Sequence, residues 1–205
     1  MSVVVLISGR GSNLQAMLDA GIPVSAVISN RAGAGGLAIA VRHGIPTAVV
    51  EHGRFPTREA FEAALAAEIE RYAPRLVALA GFMRVLTSGF VARYADRLVN
   101  IHPSLLPEFP GLDTHARALA AGAKRHGCTV HFVTEALDHG PVIAQASVPV
   151  LPGDTADTLA ARVLTQEHLL YPRAIRWFLD GQLVIEGGKV RVKGSHAQLV
   201  ASDRA

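Results

Sequence analysis

The sequence predicts an α/β fold: a doubly wound, Rossmann-like and mostly parallel sheet, with added antiparallel strands and a long C-terminal helix. Three observations carry this expectation. Up to about residue 100, short apolar runs alternate with segments of helical spacing, as βαβ units with right-handed crossovers require. The N-terminal stretch VVVLISGRGSNLQAML reads as strand, glycine turn and helix. After about Gly127 the rhythm changes, and two β-rich runs follow each other across a short polar loop.

In chain order, strands are expected at Val3–Ser8, Val24–Ser29, Thr47–Val50, Leu76–Gly81 and Leu98–Ile101. Ser12 or Asn13 would cap the first helix, whose apolar face is Leu14, Met17 and Leu18. Pro56 and a Thr57 cap precede a helix marked by Phe61, Leu65, Ile69 and Tyr72. CTVHFVT and VIAQASVPV are antiparallel or mixed additions to the sheet. A long helix should start near Thr155, capped by Asp154 or Thr155. Pro172 should interrupt it, because proline lacks an N–H and crowds the preceding turn. LVIEGGKVRV, with Gly187–Gly188 between alternating runs, predicts a hairpin, and the tail from Ser195 is expected to be loosely held. No repeat, low-complexity tract or linker divides the chain, so residues 1–205 read as one domain.

Composition narrows the function classes. A chain of 205 residues, 50% of them hydrophobic but only 5% aromatic, can bury a sizeable core of small aliphatic side chains. No apolar run approaches the ~20 residues a membrane span needs. MSVVVLISGRG lacks a basic leader region, so no signal peptide is expected. The single Cys128 rules out a disulfide framework or zinc quartet, and a cytoplasmic location follows as the expectation. The net charge of +3 comes from dispersed Lys and Arg rather than a basic run with aromatics. That argues against nucleic acid and fits small anionic ligands.

Ligands of open α/β sheets bind beyond the carboxyl ends of the strands, and SGRGSNL, GFMRVL and NIHPSLLP leave such ends. Gly9 and Gly11 allow a tight turn and close backbone approach to an anion at a helix start. The pattern is G-x-G-x-x-L, with Leu14 in the third glycine's place, and the second strand ends in Ser29, Asn30 and Arg31 without an acidic group. A dinucleotide site loses two supports, although Arg31 keeps an NADP variant open. A monophosphate anchor is the favoured reading, with a plain tight turn as the bland one.

Asn100 and His102 lie two positions apart on a strand end and so project to one side. Asp138, in the Gly-Pro turn of ALDHGPVIAQ, could face the same edge, where a carboxylate would stabilise an imidazolium. Amide donor, imidazolium and carboxylate suit a reaction in which a carbonyl oxygen gains charge, as in acyl transfer. A structural histidine and a turn-forming aspartate remain the alternatives. Ser104 lacks the strand–turn–helix elbow of a nucleophilic serine. Histidines 102, 115, 126 and 131 with Asp138 show no tight ligand spacing, so no metal is expected.

ISGRGSNLQA, LAGFMRVL, NIHPSLLPEFPGLDTH, VHFVT with LDHGPVIAQ, and TQEHLLYP occur in this order. This series resembles the folate-dependent phosphoribosylglycinamide formyltransferases of the formyltransferase superfamily, over nearly all the chain to about Asp180. The resemblance implies formyl transfer from 10-formyltetrahydrofolate, a co-substrate, to the amine of glycinamide ribonucleotide (GAR) in purine synthesis. Within one formyltransferase domain, residues 1–100 would be a phosphate-binding half, 101–180 a catalytic and folate half, and 181–205 a hairpin and tail. Gly11, Ser12 and Asn13 would hold the GAR phosphate, and Glu167 would help bind that substrate. Arg58, Met83, Arg84, Val85 and Leu86 would line the folate pocket with Thr134, Glu135, Ala136, Leu137 and Asp138. Asn100 and His102 would polarise the formyl oxygen, with Asp138 tuning His102. Partners would be these small molecules, with neither nucleic acid nor membrane, in a monomer or homodimer. Leu164 departs from the family's usual polar residue three positions before the glutamate, and His139 falls at a variable position that should face solvent. Formylation of another acceptor, hydrolysis of the formyl-folate, and a non-catalytic binding module are the competing readings.

Overall fold

Val3–Ile7, the first strand (β1), is five consecutive apolar residues, every one buried, as a strand covered on both faces must be. The computed structural model describes residues 2–194 and, as backbone, 199–201. The chain forms two compact units, Met1–Asn100 and Ile101–Ala205.

In the first unit, β1 leads into α1 (Ser12–Asp19), β2 (Val24–Ser29), α2 (Gly35–Arg42) and β3 (Thr47–Val49). A 3₁₀ turn at His52–Arg54 precedes α3 (Arg58–Glu70), β4 (Leu76–Leu79), α4 (Ser88–Arg93) and β5 (Leu98–His102), whose last two residues open the second unit. The strands run in the order β3-β2-β1-β4-β5, every pairing parallel. The expected strands are all present, with ends within two residues of those read from the apolar runs. Thr57 caps α3 by accepting the Ala60 N–H at 3.1 Å, and Phe61, Leu65 and Ile69 are buried along one stripe.

The cap of α1 differs from expectation. Gly11 is the N-cap, in the left-handed region at φ 83°, and Ser12 and Asn13 already lie inside the helix. A side-chain cap needs an extended backbone, whereas the turn leaving β1 is closed by a left-handed residue that glycine alone adopts without strain. Gly11 also has no room for a side chain: a Cβ there would sit 2.5 Å from the Cα of Gly36 at the start of α2. The conformational demand falls on Gly11. A Cβ on Gly9 would meet open space.

The second unit contains α5 (Thr114–Ala120), β6 (Arg125–Phe132), β7 (Val142–Pro149), α6 (Ala156–Leu179), β8 (Leu183–Glu186), β9 (Lys189–Val192) and β10 (Leu199–Ala201). β6 and β7 pair antiparallel, as their spacing predicts, and β10 adds to β7 in parallel. The tail is therefore partly strand. The rest of the segment expected to be loose, 195–198 and 202–205, lies outside the described residues. Gly187 and Gly188 both take positive φ, 56° and 74°, the sign pair of a type I′ turn between β8 and β9.

Pro172 does not interrupt α6, which runs unbroken for 24 residues. The proline removes one N–H from the helical ladder, but Leu170, Tyr171, Pro172, Ala174 and Ile175 are all buried. Burial on both sides of the proline outweighs the missing bond. Thr155 caps the helix in a reciprocal box with Thr158.

Candidate active site

β5 ends the apolar core with a polar pair. Leu98, Val99 and Ile101 are buried, Asn100 is half-buried and His102 is 5% exposed. The alternation of side chains along the strand sends Asn100 and His102 to the same side.

Around His102 the second unit builds a closed set of partners. Nε2 lies 3.0 Å from the Phe109 carbonyl oxygen. A carbonyl only accepts, so Nε2 carries the hydrogen. Nδ1 faces Oδ2 of Asp138 at 3.4 Å, and both side chains are more than nine-tenths buried. With both nitrogens pointed at acceptors, this setting accommodates an imidazolium without leaving a proton unmatched. Asp138 is held in turn. Its backbone is left-handed at φ 55°, a conformation aspartate tolerates better than most residues, and its Oδ2 accepts the Gly111 N–H at 2.9 Å.

His131 flanks the other carboxylate oxygen, with Nε2 3.7 Å from Oδ1. Its Nδ1–H donates to the Phe132 carbonyl at 2.9 Å, and burial pushes its pKa below the usual histidine range despite the nearby carboxylate. Asp138 thus stands between His102 and a histidine whose charged form burial disfavours. Phe109, Gly111 and His131 are partners that strand and turn spacing did not point to. Phe109 and Gly111 lie within NIHPSLLPEFPGLDTH and His131 within VHFVT, but neither motif says that these positions meet Asp138 or the His102 ring.

Two further histidines line this region. His115 on α5 and His126 on β6 meet edge to face with ring centroids 5.1 Å apart, and His126 also meets Phe109 at 5.9 Å. Burial lowers both pKa values, that of His126 to about 4, with the charge of neighbouring histidines adding to the effect. Ser104 is fully buried and its hydroxyl donates to the Glu108 carbonyl at 2.6 Å, which suits a loop brace and not a nucleophile. Among the described residues, no group of three His, Cys, Asp or Glu is arranged to hold a metal.

The remaining residues named from the sequence fall as follows. Gly11 and Asn13 are buried and Ser12 half-buried at the start of α1, where the first helical N–H groups lack helical acceptors. Arg58 is exposed at the first position of α3. Met83 and Val85 are exposed apolar side chains at 59% and 55%, with Arg84 and Leu86 half-buried. Leu137 is likewise 52% exposed, next to exposed Glu135 and Ala136 and half-buried Thr134. His139 is exposed. Glu167 is buried on α6, where its charge acts on Cys128 and Tyr171; burial raises both of their pKa values, and the carboxylate adds to the rise.

The formyl transferase family matches residues 1–175. The chain belongs to the formyl transferase family. It is 55% identical over 189 residues to phosphoribosylglycinamide formyltransferase of Escherichia coli (strain K12), covering 89% of each protein. It is 49% identical over 191 residues to the trifunctional purine biosynthetic protein adenosine-3 of Drosophila melanogaster, covering 89% of this chain and 14% of that protein. The solved phosphoribosylglycinamide formyltransferase of Coxiella burnetii superposes with a TM-score of 0.92 at 47% identity, over 98% of both chains. This formyl transferase therefore carries the mostly parallel α/β fold of its relatives, with the antiparallel β6–β7 pair and the long α6. Among its described residues no helix is long and apolar enough to cross a membrane.

Proposed function

We propose that this formyl transferase moves the formyl group of 10-formyltetrahydrofolate to the amine of GAR, a step of purine biosynthesis, with residues 1–205 acting as one formyltransferase domain. One observation carries the reading: within a formyl transferase, β5 ends in a buried histidine with Nε2–H as donor and a buried carboxylate at its other nitrogen.

The neutral amine of GAR attacks the formyl carbon, and charge builds on the formyl oxygen. Asn100 supplies one hydrogen bond that meets this charge, the Nε2–H of His102 supplies a second by exchanging the Phe109 carbonyl for the formyl oxygen, and Asp138 orients the ring and supports its protonated form. The attacking nitrogen loses a proton and the departing folate nitrogen gains one as its C–N bond breaks. No covalent enzyme intermediate is needed. The N–H groups at the start of α1, with Gly11, Ser12 and Asn13, receive the phosphate. Glu167 assists on the same substrate. Arg58, the segment from Met83 to Leu86, and residues Thr134 to Asp138 take the folate, whose apolar surface would cover Met83 and Val85. This chemistry requires no metal. The protein is expected in the cytoplasm, as a monomer or homodimer.

The purified protein, given a 10-formyl folate with and without GAR, tests this by the absorbance of deformylated product. Acceptor-dependent consumption is expected. Consumption without acceptor would make it a hydrolase, and binding of both ligands without turnover a binding module.

A further inference from the structure

The segment proposed to meet the folate, Met83–Leu86, has neither helix nor strand to hold it, yet it displays two large apolar side chains to solvent. Such a segment needs other fixings. At Met83 the backbone N–H donates to Ser8 Oγ at 2.8 Å, and the Ser8 hydroxyl donates onward to Asn30 Oδ1 at 2.6 Å. Both of these side chains are buried at the carboxyl ends of β1 and β2.

The far end is fixed by a residue that the catalytic reading does not use. Glu62, in the middle of α3, is 4% exposed. Acidic side chains are rarely buried unless their oxygens are paired. Here Oε1 accepts the Thr87 N–H at 2.8 Å and Oε2 accepts the Thr87 hydroxyl in a short bond. The same hydroxyl accepts the Phe90 N–H at 3.3 Å and starts α4. Both carboxylate oxygens are thus bonded to the one residue that follows Leu86.

We propose that Glu62 is a positioning residue for the formyl donor: it anchors the C-terminal end of the Met83–Leu86 segment through Thr87, as Ser8 anchors its start. The inference rests on the reading that this segment binds the folate. Hydrogen bonds to a buried charged group are among the stronger ones in proteins, so releasing Thr87 should let the segment leave its bound form. An open groove of about 210 Å³ lined by Glu59, Glu62, Thr87 and Arg93 gives water access to the freed groups, so the helix pair can survive the change.

Steady-state kinetics of Glu62→Ala and Glu62→Gln test it. The alanine variant should raise the donor KM about tenfold, with kcat at saturating donor and the KM for GAR within about twofold of wild type. The glutamine variant, able to accept from the N–H and donate to the hydroxyl, should return the donor KM to near normal. A purely structural carboxylate would lower stability and leave the donor KM where it was. That result, or equal weakening of both substrates, overturns the proposal. Should Glu62→Ala not fold, Thr87→Val against Thr87→Ser poses the same question, with only the valine expected to raise the donor KM. A wild-type protein without acceptor-dependent transfer would remove the folate reading and this inference together, an outcome distinct from an active wild type whose Glu62→Ala variant has a normal donor KM.

Discussion

Asn100 and His102 face one side of β5, and the chemistry asks them to meet charge that exists only while the formyl carbon is tetrahedral. Groups that act on a transition state lower kcat when removed and leave ground-state binding largely alone. Asn100→Ala and His102→Ala should therefore each lose about 10²–10³ in kcat, the usual cost of one oxyanion donor. Circular dichroism and GAR binding should stay near wild type, and normal kcat in either variant would remove the assignment. Much of this pair could be read from the sequence, because i, i+2 alternation and a following Pro103 need no long-range information. Asp138 was legible too, but the other contacts that hold the ring and this carboxylate were not. The Phe109 carbonyl, the Gly111 N–H on Asp138 and the neutral His131 are contacts across 7, 27 and 7 positions that no spacing rule encodes.

The elements around the site were legible where one local signal dominates, and misread where two compete. Apolar runs gave the strands, and Thr57 and Thr155 gave the helix starts. Pro172 and the cap of α1 went the other way, the first because burial along α6 outweighs one lost N–H, the second because a glycine contact sets the turn. That contact makes a prediction. A Cβ on Gly36 would lie 2.6 Å from Ile7 Cδ1 and 3.1 Å from Gly11 Cα, and Gly36 N–H already donates to Gly9 O at 3.1 Å. Ile7 is fully buried, so the glycine loop must give way by tenths of an ångström. Gly36→Ala is expected to raise the KM for GAR several-fold while the donor KM holds, measured by varying each substrate separately. The β6–β7 pair braces the loop after His102 in a similar way. Thr129 Oγ1 donates to Ser104 O at 2.7 Å and accepts from Leu106 N–H at 3.0 Å and from Gln145, its cross-strand neighbour, at 2.9 Å. Thr129→Val keeps the shape and strips all three, so urea unfolding should show a loss of about 1–3 kcal/mol.

At the scale of the whole molecule, stability against acid depends on histidines folded in their neutral form. His115, His126 and His131 all have pKa values lowered by burial, and the value for His126 falls from 6.5 to about 4. The groups facing His126 deepen this effect: His115 and His102 repel its charged form, and only the Pro103 carbonyl favours it. A base with a depressed folded pKa is protonated first in the unfolded chain. Stability is therefore fully present above the unfolded value and is lost as pH falls from about 6.5 towards 4. At 1.36 kcal/mol per unit, His126 alone would cost about 3 kcal/mol by the lower end of that window. Asp154 acts later. The Arg162 guanidinium holds Asp154 well below the usual range, so its contribution disappears only below the ordinary carboxylate pKa. The urea midpoint should then fall steeply between pH 6.5 and 4, ahead of the Asp154 step. His126→Leu, which removes the titrating group and keeps an apolar filling against Phe109 and His115, should flatten that part of the curve. A wild-type midpoint that holds constant from pH 7 to 4.5 would mean that the buried histidines are not what limits the fold in acid.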